Sequence, residues 1–354
     1  VGGAVAICEG DGPYWPKSLY VTTGHNGETC GSVFWITINS KLLHLYPERE
    51  AYACEIEESL LNVIAAAQTA TGTIRYHNRL HGTKEEGRRG NTCCEVSAAG
   101  LIGRLPEFIY SVDAEGFYVN MFAASSIRRD LGFGEVSLTM VTTYPYGREV
   151  EIEVATAVAA SFTIRVRIPC WAASNIVVEV NGAGEVVGTP GTHVELTRKW
   201  SNGDVLGFTL PIGFSAVRYT GLDQVEDNYD RYALKYGPVL MALCGELTGP
   251  GDVPRIATSV ADLPHLLEPV AGRPLEFMIP EYQGPGPSPR ANAHAERFVR
   301  TVRTECLDWT LVLGRRHLVE QVLREYVRHY NQQRPHRGLD LGVPTGRTAP
   351  LEPL

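Results

Sequence analysis

The chain of 354 residues is long enough for two or three domains with cores of their own, and 44% hydrophobic with 20% charged residues is the make-up of an ordinary globular protein. No run approaches about 18 uninterrupted apolar residues, so no membrane-spanning helix is expected. The net charge of −8 is unevenly spread: residues 285–354 hold eleven arginines, no lysine and seven acids, a net of +4 that leaves −12 for the remainder, and such a switch marks a change of origin or of partner.

Residues 1–27 are rich in Gly, Pro and aromatics (Gly10-Asp11-Gly12-Pro13-Tyr14-Trp15-Pro16) and read as a loop. The opening Val1–Glu9 has no basic region and no initiating Met, and it reads as the interior of a longer frame. From Glu28 the apolar spacing turns helical, through Val33, Phe34, Ile36, Ile38, Leu42, Leu43 and Leu45, with a stop at Pro47. A second helix is predicted from Glu48 to about Gln68, and a third from Cys94 to Tyr110, where Pro106 should kink or break it.

After Ser111 the period falls to two. Residues 116–122, 135–141, 151–154, 162–168, 176–180, 194–196 and 206–210 alternate apolar and polar side chains between turn signals such as Asn181-Gly182. Short strands without intervening helices predict antiparallel β-sandwich packing. Gly-Pro-Gly-Pro-Ser-Pro-Arg at 284–290 reads as a linker, followed by helical runs at about Ala293–Cys306 and Arg316–Tyr330. The expected organisation is therefore helical in 1–112, β-sandwich in 113–283, and a helical tail in 284–354 that packs apart from the rest.

The eight cysteines (8, 30, 54, 93, 94, 170, 244 and 306) lack the dense spacing of a disulfide scaffold. Reduced thiols are the expectation, and with them a cytoplasmic location. The vicinal pair Cys93-Cys94 is poorly shaped for a mutual disulfide, which leaves it a candidate metal ligand or nucleophile.

Several runs carry a resemblance. Glu28-Thr-Cys-Gly-Ser-Val-Phe-Trp, Ala51-Tyr-Ala-Cys-Glu-Ile-Glu-Glu-Ser-Leu-Leu-Asn-Val and Asn91-Thr-Cys-Cys-Glu resemble glycoside hydrolase family 127, the β-L-arabinofuranosidase family. Leu105-Pro-Glu-Phe-Ile-Tyr, Arg167-Ile-Pro-Cys-Trp, Trp200-Ser-Asn-Gly-Asp and Tyr236-Gly-Pro-Val-Leu continue it in order, over roughly residues 1–280. The resemblance implies an α+β multidomain chain: the C-terminal part of an (α/α)₆ barrel, then β-sandwich domains. It also implies a Zn2+ held by Glu28, Cys30, Cys93 and Cys94, with Cys93 as the nucleophile of a retaining hydrolase acting on a β-linked L-arabinofuranoside. A metal keeps such a thiol as the thiolate at neutral pH.

The family's acid/base Glu lies about sixteen residues before the zinc Glu, a position that falls on Gly12 here. Glu9 and Asp11 are the nearest carboxylates; they either fill that role or are surface acids. His25, His77 and His81 either line a sugar pocket or are structural. With the first half of a barrel absent, impaired turnover is expected.

The tail, with Ser288-Pro-Arg-Ala-Asn-Ala-His-Ala-Glu296-Arg-Phe and Tyr330-Asn-Gln-Gln-Arg-Pro-His-Arg-Gly-Leu339, resembles the end of the integrase core of DDE transposases. Glu296 matches the third metal-binding acid. Two-metal chemistry needs all three carboxylates, and nothing upstream resembles the Asp-bearing strands. The tail alone is expected to give at most weak, non-specific nucleic-acid contact. A protein of DNA integration is the alternative to the sugar hydrolase.

Overall fold

The computed structural model describes residues 27–69, 72–78, 92–218, 232–244, 258–279 and 290–292. Helices occupy its first part and strands the rest, a mixed α+β chain with several sheets. Most of the strands expected between residues 116 and 210 are present, and the helices differ from expectation at their ends.

Helix α1 (Thr29–Leu45) buries Cys30, Val33, Ile36, Ser40 and Leu43, a face of period 3.6. Its other side leaves Phe34, Ile38 and Leu45 exposed. Helix α2 (Glu50–Ser59) passes without a break into a π turn at Leu60–Ile64 and a last turn α3 (Ala65–Ala67). The third predicted helix is shorter than expected: α4 (Cys93–Ile102) stops at Gly103, and a 3₁₀ turn at Leu105–Phe108 follows. Pro106 has no N–H to give the Ile102 carbonyl four residues back, so the α ladder cannot run on to Tyr110. Val33, Ile36, Ile56, Ile64, Leu101 and Phe108 form the helical core.

Two sheets share the largest core. One runs in the order β1 (Tyr110–Val112), β2 (Gly116–Val119), β6 (Ala160–Ile168), β9 (Thr192–Trp200). The other runs β3 (Ser125–Asp130), β4 (Glu135–Thr142), β5 (Glu149–Thr156), β10 (Asp204–Thr209), β7 (Ile176–Val180), β8 (Ala183–Gly188). Phe117, Ile164, Val166, Leu196 and Trp200 from the first meet Leu138, Ile152, Val178 and Leu206 from the second. The alternation read from the sequence thus places the inward residues of both sheets in one shared core. β1, β3 and β8 were not predicted: Tyr110 was read as the end of the third helix, and β3 is mostly exposed, its run Ser-Ser-Ile-Arg-Arg-Asp having little apolar signal.

Pairing is antiparallel throughout the described strands except β2–β6, which is parallel, with Gly116 opposite Thr163. A Cβ at Gly116 would lie 2.0 Å from the Thr163 carbonyl oxygen, so only glycine fits that crossing. β6 is buried on both faces. Phe162, Ile164, Val166 and Ile168 enter the shared core, while Arg165 and Arg167 face the other way. That second face lies against α2 and holds a buried ionic cluster. Arg167 is fully buried and pairs with Glu57, and its Nε lies 3.4 Å from Glu50 Oε1. Glu57 also accepts from Tyr144 Oη at 2.9 Å and from Trp171 Nε1 at 2.7 Å.

A three-stranded sheet follows, β11 (Phe214–Arg218), β12 (Tyr232–Tyr236), β13 (Val239–Leu240). A four-stranded one has the order β14 (Ala242–Cys244), β17 (Arg290–Asn292), β16 (Glu276–Met278), β15 (Glu268–Pro269). Three residues at the start of the segment read as a separate tail take part in this sheet. Arg290–Asn292, at the end of the expected linker, is a strand hydrogen-bonded on both sides, to β14 and to β16. Glycine and proline spacing marks where a chain bends, and it is blind to a long-range partner for the residues that follow. The helical runs Ala293–Cys306 and Arg316–Tyr330 lie outside the described residues. Among those described, no helix is long and apolar enough to cross a membrane.

Candidate metal centre

Two helix starts meet at one point. Glu28 is the residue before α1, and Cys30 lies in its first turn. Cys93 and Cys94 are the first two residues of α4. Glycine-bounded backbone pairing fixes the first start: Glu28 bridges to His77, Thr29 N–H donates to the Tyr76 carbonyl at 2.9 Å, and Asn78 N–H donates to the Gly27 carbonyl at 2.9 Å. Gly27 sits at φ 69°, and a Cβ there would press to 2.6 Å from the Asn78 carbonyl oxygen. A capping box fixes the second start, the Thr92 N–H donating to Glu95 Oε2 at 3.1 Å.

The four ligand atoms of Glu28, Cys30, Cys93 and Cys94 all lie within 4.8 Å of one another. Cys30 Sγ is 2.7 Å from Glu28 Oε1, and both Cys93 Sγ and Cys94 Sγ are 3.8 Å from it. The two vicinal sulfurs are 4.0 Å apart and are not bonded to each other. Cys30 and Cys94 are buried and Glu28 is half-buried, whereas Cys93 is exposed. Tyr76 Oη lies 3.5 Å from Cys93 Sγ, and the Tyr76 carbonyl oxygen lies 3.7 Å from Cys94 Sγ.

Burial drives the electrostatics. It pushes the Cys30 thiol far above its ordinary range, and the Glu28 carboxylate and the neighbouring sulfurs push the same way. Cys94 rises to about 12, again through burial first, with hydrogen bonds from Cys30 partly opposing. Without a cation Cys30 and Cys94 therefore keep their protons. Three thiolates and a carboxylate packed this closely are stable only around a positive charge, and the N-terminal ends of α1 and α4 add two partial positive charges of the right sign. The donor set, sulfur-rich with one oxygen, fits a tetrahedral soft or borderline divalent ion such as zinc. The residues present thus suit a metal of that class.

Of the other predicted residues, His77 is buried beside Glu28. Glu9, Asp11, His25, His81 and Glu296 lie outside the described residues. Sequence reasoning missed Tyr76, for which no motif gave a signal. It also missed Glu95, although Thr92-x-x-Glu95 is a readable capping pattern. The expectation of reduced thiols fails at one place: Cys54 and Cys170, 116 positions apart, form a disulfide. Neither run hinted that α2 and the end of β6 would touch.

No curated protein matches the chain. A family model described as "Beta-L-arabinofuranosidase, GH127 middle domain" matches residues 116–212, and one described as "Integrase core domain" matches residues 280–344. Among solved structures, the chain is similar to a glycoside hydrolase at 16% identity and TM-score 0.60, over 84% of this chain and 57% of that one. It is similar to a GH127 β-L-arabinofuranosidase from Geobacillus stearothermophilus T6 at 19% identity and TM-score 0.55, over 76% and 48%. A further GH127 β-arabinofuranosidase gives 18% and 0.63, over 83% and 51%. The chain therefore spans about half the length of these structures, and the likeness at such identities is one of fold. Both resemblances read from the motifs are borne out, and the integrase match begins at 280, slightly before the predicted boundary.

Proposed function

We propose that residues 27–279 are the zinc-dependent, cysteine-nucleophile portion of a retaining glycoside hydrolase that acts on β-linked L-arabinofuranosides. The observation that carries this reading is the convergence of Glu28, Cys30, Cys93 and Cys94, from two helix starts some sixty residues apart, on one point. A barrel of helices ahead of a β-sandwich, divided near residues 112 and 283, is part of the same proposal.

Bound there, the metal supplies the charge that holds the sulfurs as thiolates at neutral pH. Glu28, half-buried, and the buried Cys30 and Cys94 are the anchoring ligands. Cys93 is the exposed member, and so the one a sugar can reach. Its Sγ attacks the anomeric carbon as the glycosidic C–O bond breaks, and a carboxylic acid protonates the leaving oxygen. The same carboxylate then takes a proton from water, whose oxygen displaces the sulfur and returns the thiolate. Glu9 and Asp11 are the candidates for that acid/base. Tyr76 Oη, next to Cys93 Sγ, orients the nucleophile.

The test is the slow turnover of an aryl β-L-arabinofuranoside expected of the zinc-loaded chain, which spans only about half of the similar structures, compared with Cys93→Ser. Loss of turnover in the variant with unchanged folding, and a glycosyl adduct on the wild-type Cys93 peptide, support the proposal. Equal turnover by both refutes it.

The match at 280–344 favours a second reading for that segment alone, a remnant of a DNA-integration protein with weak, non-specific nucleic-acid contact through its arginines. The net charge of +4 over residues 285–354 gives binding that fades with salt. Tight, salt-resistant duplex binding would refute the remnant reading. A cytoplasmic location belongs to the same proposal.

A further inference from the structure

We propose that Glu50, Cys54 and Cys170 form a second divalent-metal site of the thiolate–carboxylate class, closed while Cys54 and Cys170 are joined and opened by their reduction. Glu50 and Cys54 lie one turn apart on the same face of α2, the face turned to the sheet. Cys170 follows β6 by two residues and reaches that face from the other side of the interface. The two sulfurs and a Glu50 oxygen all lie within 4.8 Å of one another.

Three features make this more than a disulfide beside an acid. Glu50 is only 3% exposed and already aimed at the pair, its Oε1 accepting the Cys170 N–H at 3.1 Å. The buried cluster is short of positive charge, with two carboxylates, Glu50 and Glu57, set against one guanidinium, Arg167. Glu57 takes the shorter contact with Arg167 and two further donors, Tyr144 and Trp171, which leaves Glu50 the freer partner for a cation. Cys54 is buried and Cys170 exposed, so reductant and ion have a way in, and a water can take a fourth coordination position.

The chemistry balances. The Cys54–Cys170 bond accepts two electrons and two protons from a small dithiol, which leaves as its own disulfide. The two thiols then release two protons to solvent as the divalent ion takes both sulfurs. A neutral disulfide is thereby replaced by a neutral metal dithiolate, so the pocket around Arg167 keeps its net charge while Glu50 gains a cation to face. This site shares no ligand with the Glu28–Cys94 cluster, and its existence does not depend on the hydrolase reading.

The experiment counts metal in the full chain. Protein is prepared oxidised, or reduced with a phosphine that is then removed, equilibrated with Zn2+, desalted and assayed for zinc. The proposal expects one more equivalent in the reduced than in the oxidised form, whatever the first site holds. That extra equivalent should disappear in Cys54→Ser and in Cys170→Ser. Co2+ should give thiolate-to-metal charge-transfer absorbance in the reduced form of a Cys30→Ser/Cys93→Ser/Cys94→Ser chain. Glu50→Gln should keep the two thiols and weaken that binding at least about tenfold. Equal zinc in the two forms, with a thiol count showing two extra free thiols after reduction, overturns the proposal. So does an extra equivalent that survives Cys54→Ser, because the ion would then sit elsewhere.

Discussion

Replacing Arg167 with Met tests the interface between α2 and the β6 face. Arg167 is fully buried, and the side chains that would be left facing each other, Glu50 and Glu57, are 2% and 4% exposed. Met fills much of the arginine's volume, so the cost comes from charge and not from a cavity. Removing one partner of a buried ion pair costs about 3–5 kcal/mol. With a urea m-value of about 2–3 kcal/mol/M for a unit of this size, the midpoint should fall by roughly 1–2 M. The cost should depend on pH. Burial already raises the Glu50 carboxyl above its ordinary value, Arg167 being the main opposing influence. Without Arg167 it rises further in the folded state. A carboxyl with a raised folded pKa weakens the fold above its unfolded pKa, about 4.3, and the penalty fades as pH falls into that range. Urea titrations followed by the fluorescence of Trp171 and Trp200 should therefore show a smaller difference between variant and wild type at pH 5 than at pH 8. A loss under about 1 kcal/mol at pH 8, or one unchanged between the two pH values, would refute the reasoning.

Cys54→Ser, compared with oxidised wild type in the presence of a chelator, should lower stability by about 4–5 kcal/mol if chain entropy dominates, because the bond closes a loop of 116 positions; a change below about 1 kcal/mol in differential scanning calorimetry contradicts this. Gly116→Ala should cost about 2–4 kcal/mol by the same method, since its Cβ meets the Thr163 carbonyl oxygen, and a neutral result would mean the β2–β6 crossing is looser than described. His193 has its pKa lowered to about 4, chiefly by burial and then by Arg167. It therefore favours the fold above its unfolded pKa of about 6.5 and loses that contribution as pH falls towards 4. His193→Gln should flatten the stability curve across that window, and an unchanged slope argues against it. Deleting residues 285–354 removes β17 from between β14 and β16, so thermal unfolding should move to lower temperature; an unchanged Tm would show that the strand contributes nothing.

The parts of the fold legible in the sequence are those with local causes. Period-2 alternation placed β4, β5, β6 and β7, because each has one face on a shared apolar core. Period 3.6 placed α1 and α2, and Pro106 announced the end of α4. The four metal-site residues were legible only through family motifs, since nothing in Glu28-x-Cys30 or Cys93-Cys94 alone says that their helix starts will meet. Long-range pairings were invisible. Arg167 looked like an outward residue of an alternating strand, and it became the buried centre of an ion cluster because α2 covers that face. Arg290–Asn292 looked like the end of a linker, and its partners lie about fifty and about fourteen residues upstream.

The most direct test of the central claim is X-ray absorption at the zinc edge on the oxidised full chain, where the Cys54–Cys170 bond leaves the first cluster as the one open site among the described residues. The account predicts one tightly held zinc with three sulfur neighbours at about 2.3 Å and one oxygen at about 2.0–2.2 Å, and loss of one sulfur in Cys93→Ser. A zinc shell of nitrogen and oxygen alone, or one unchanged by Cys93→Ser, would contradict it.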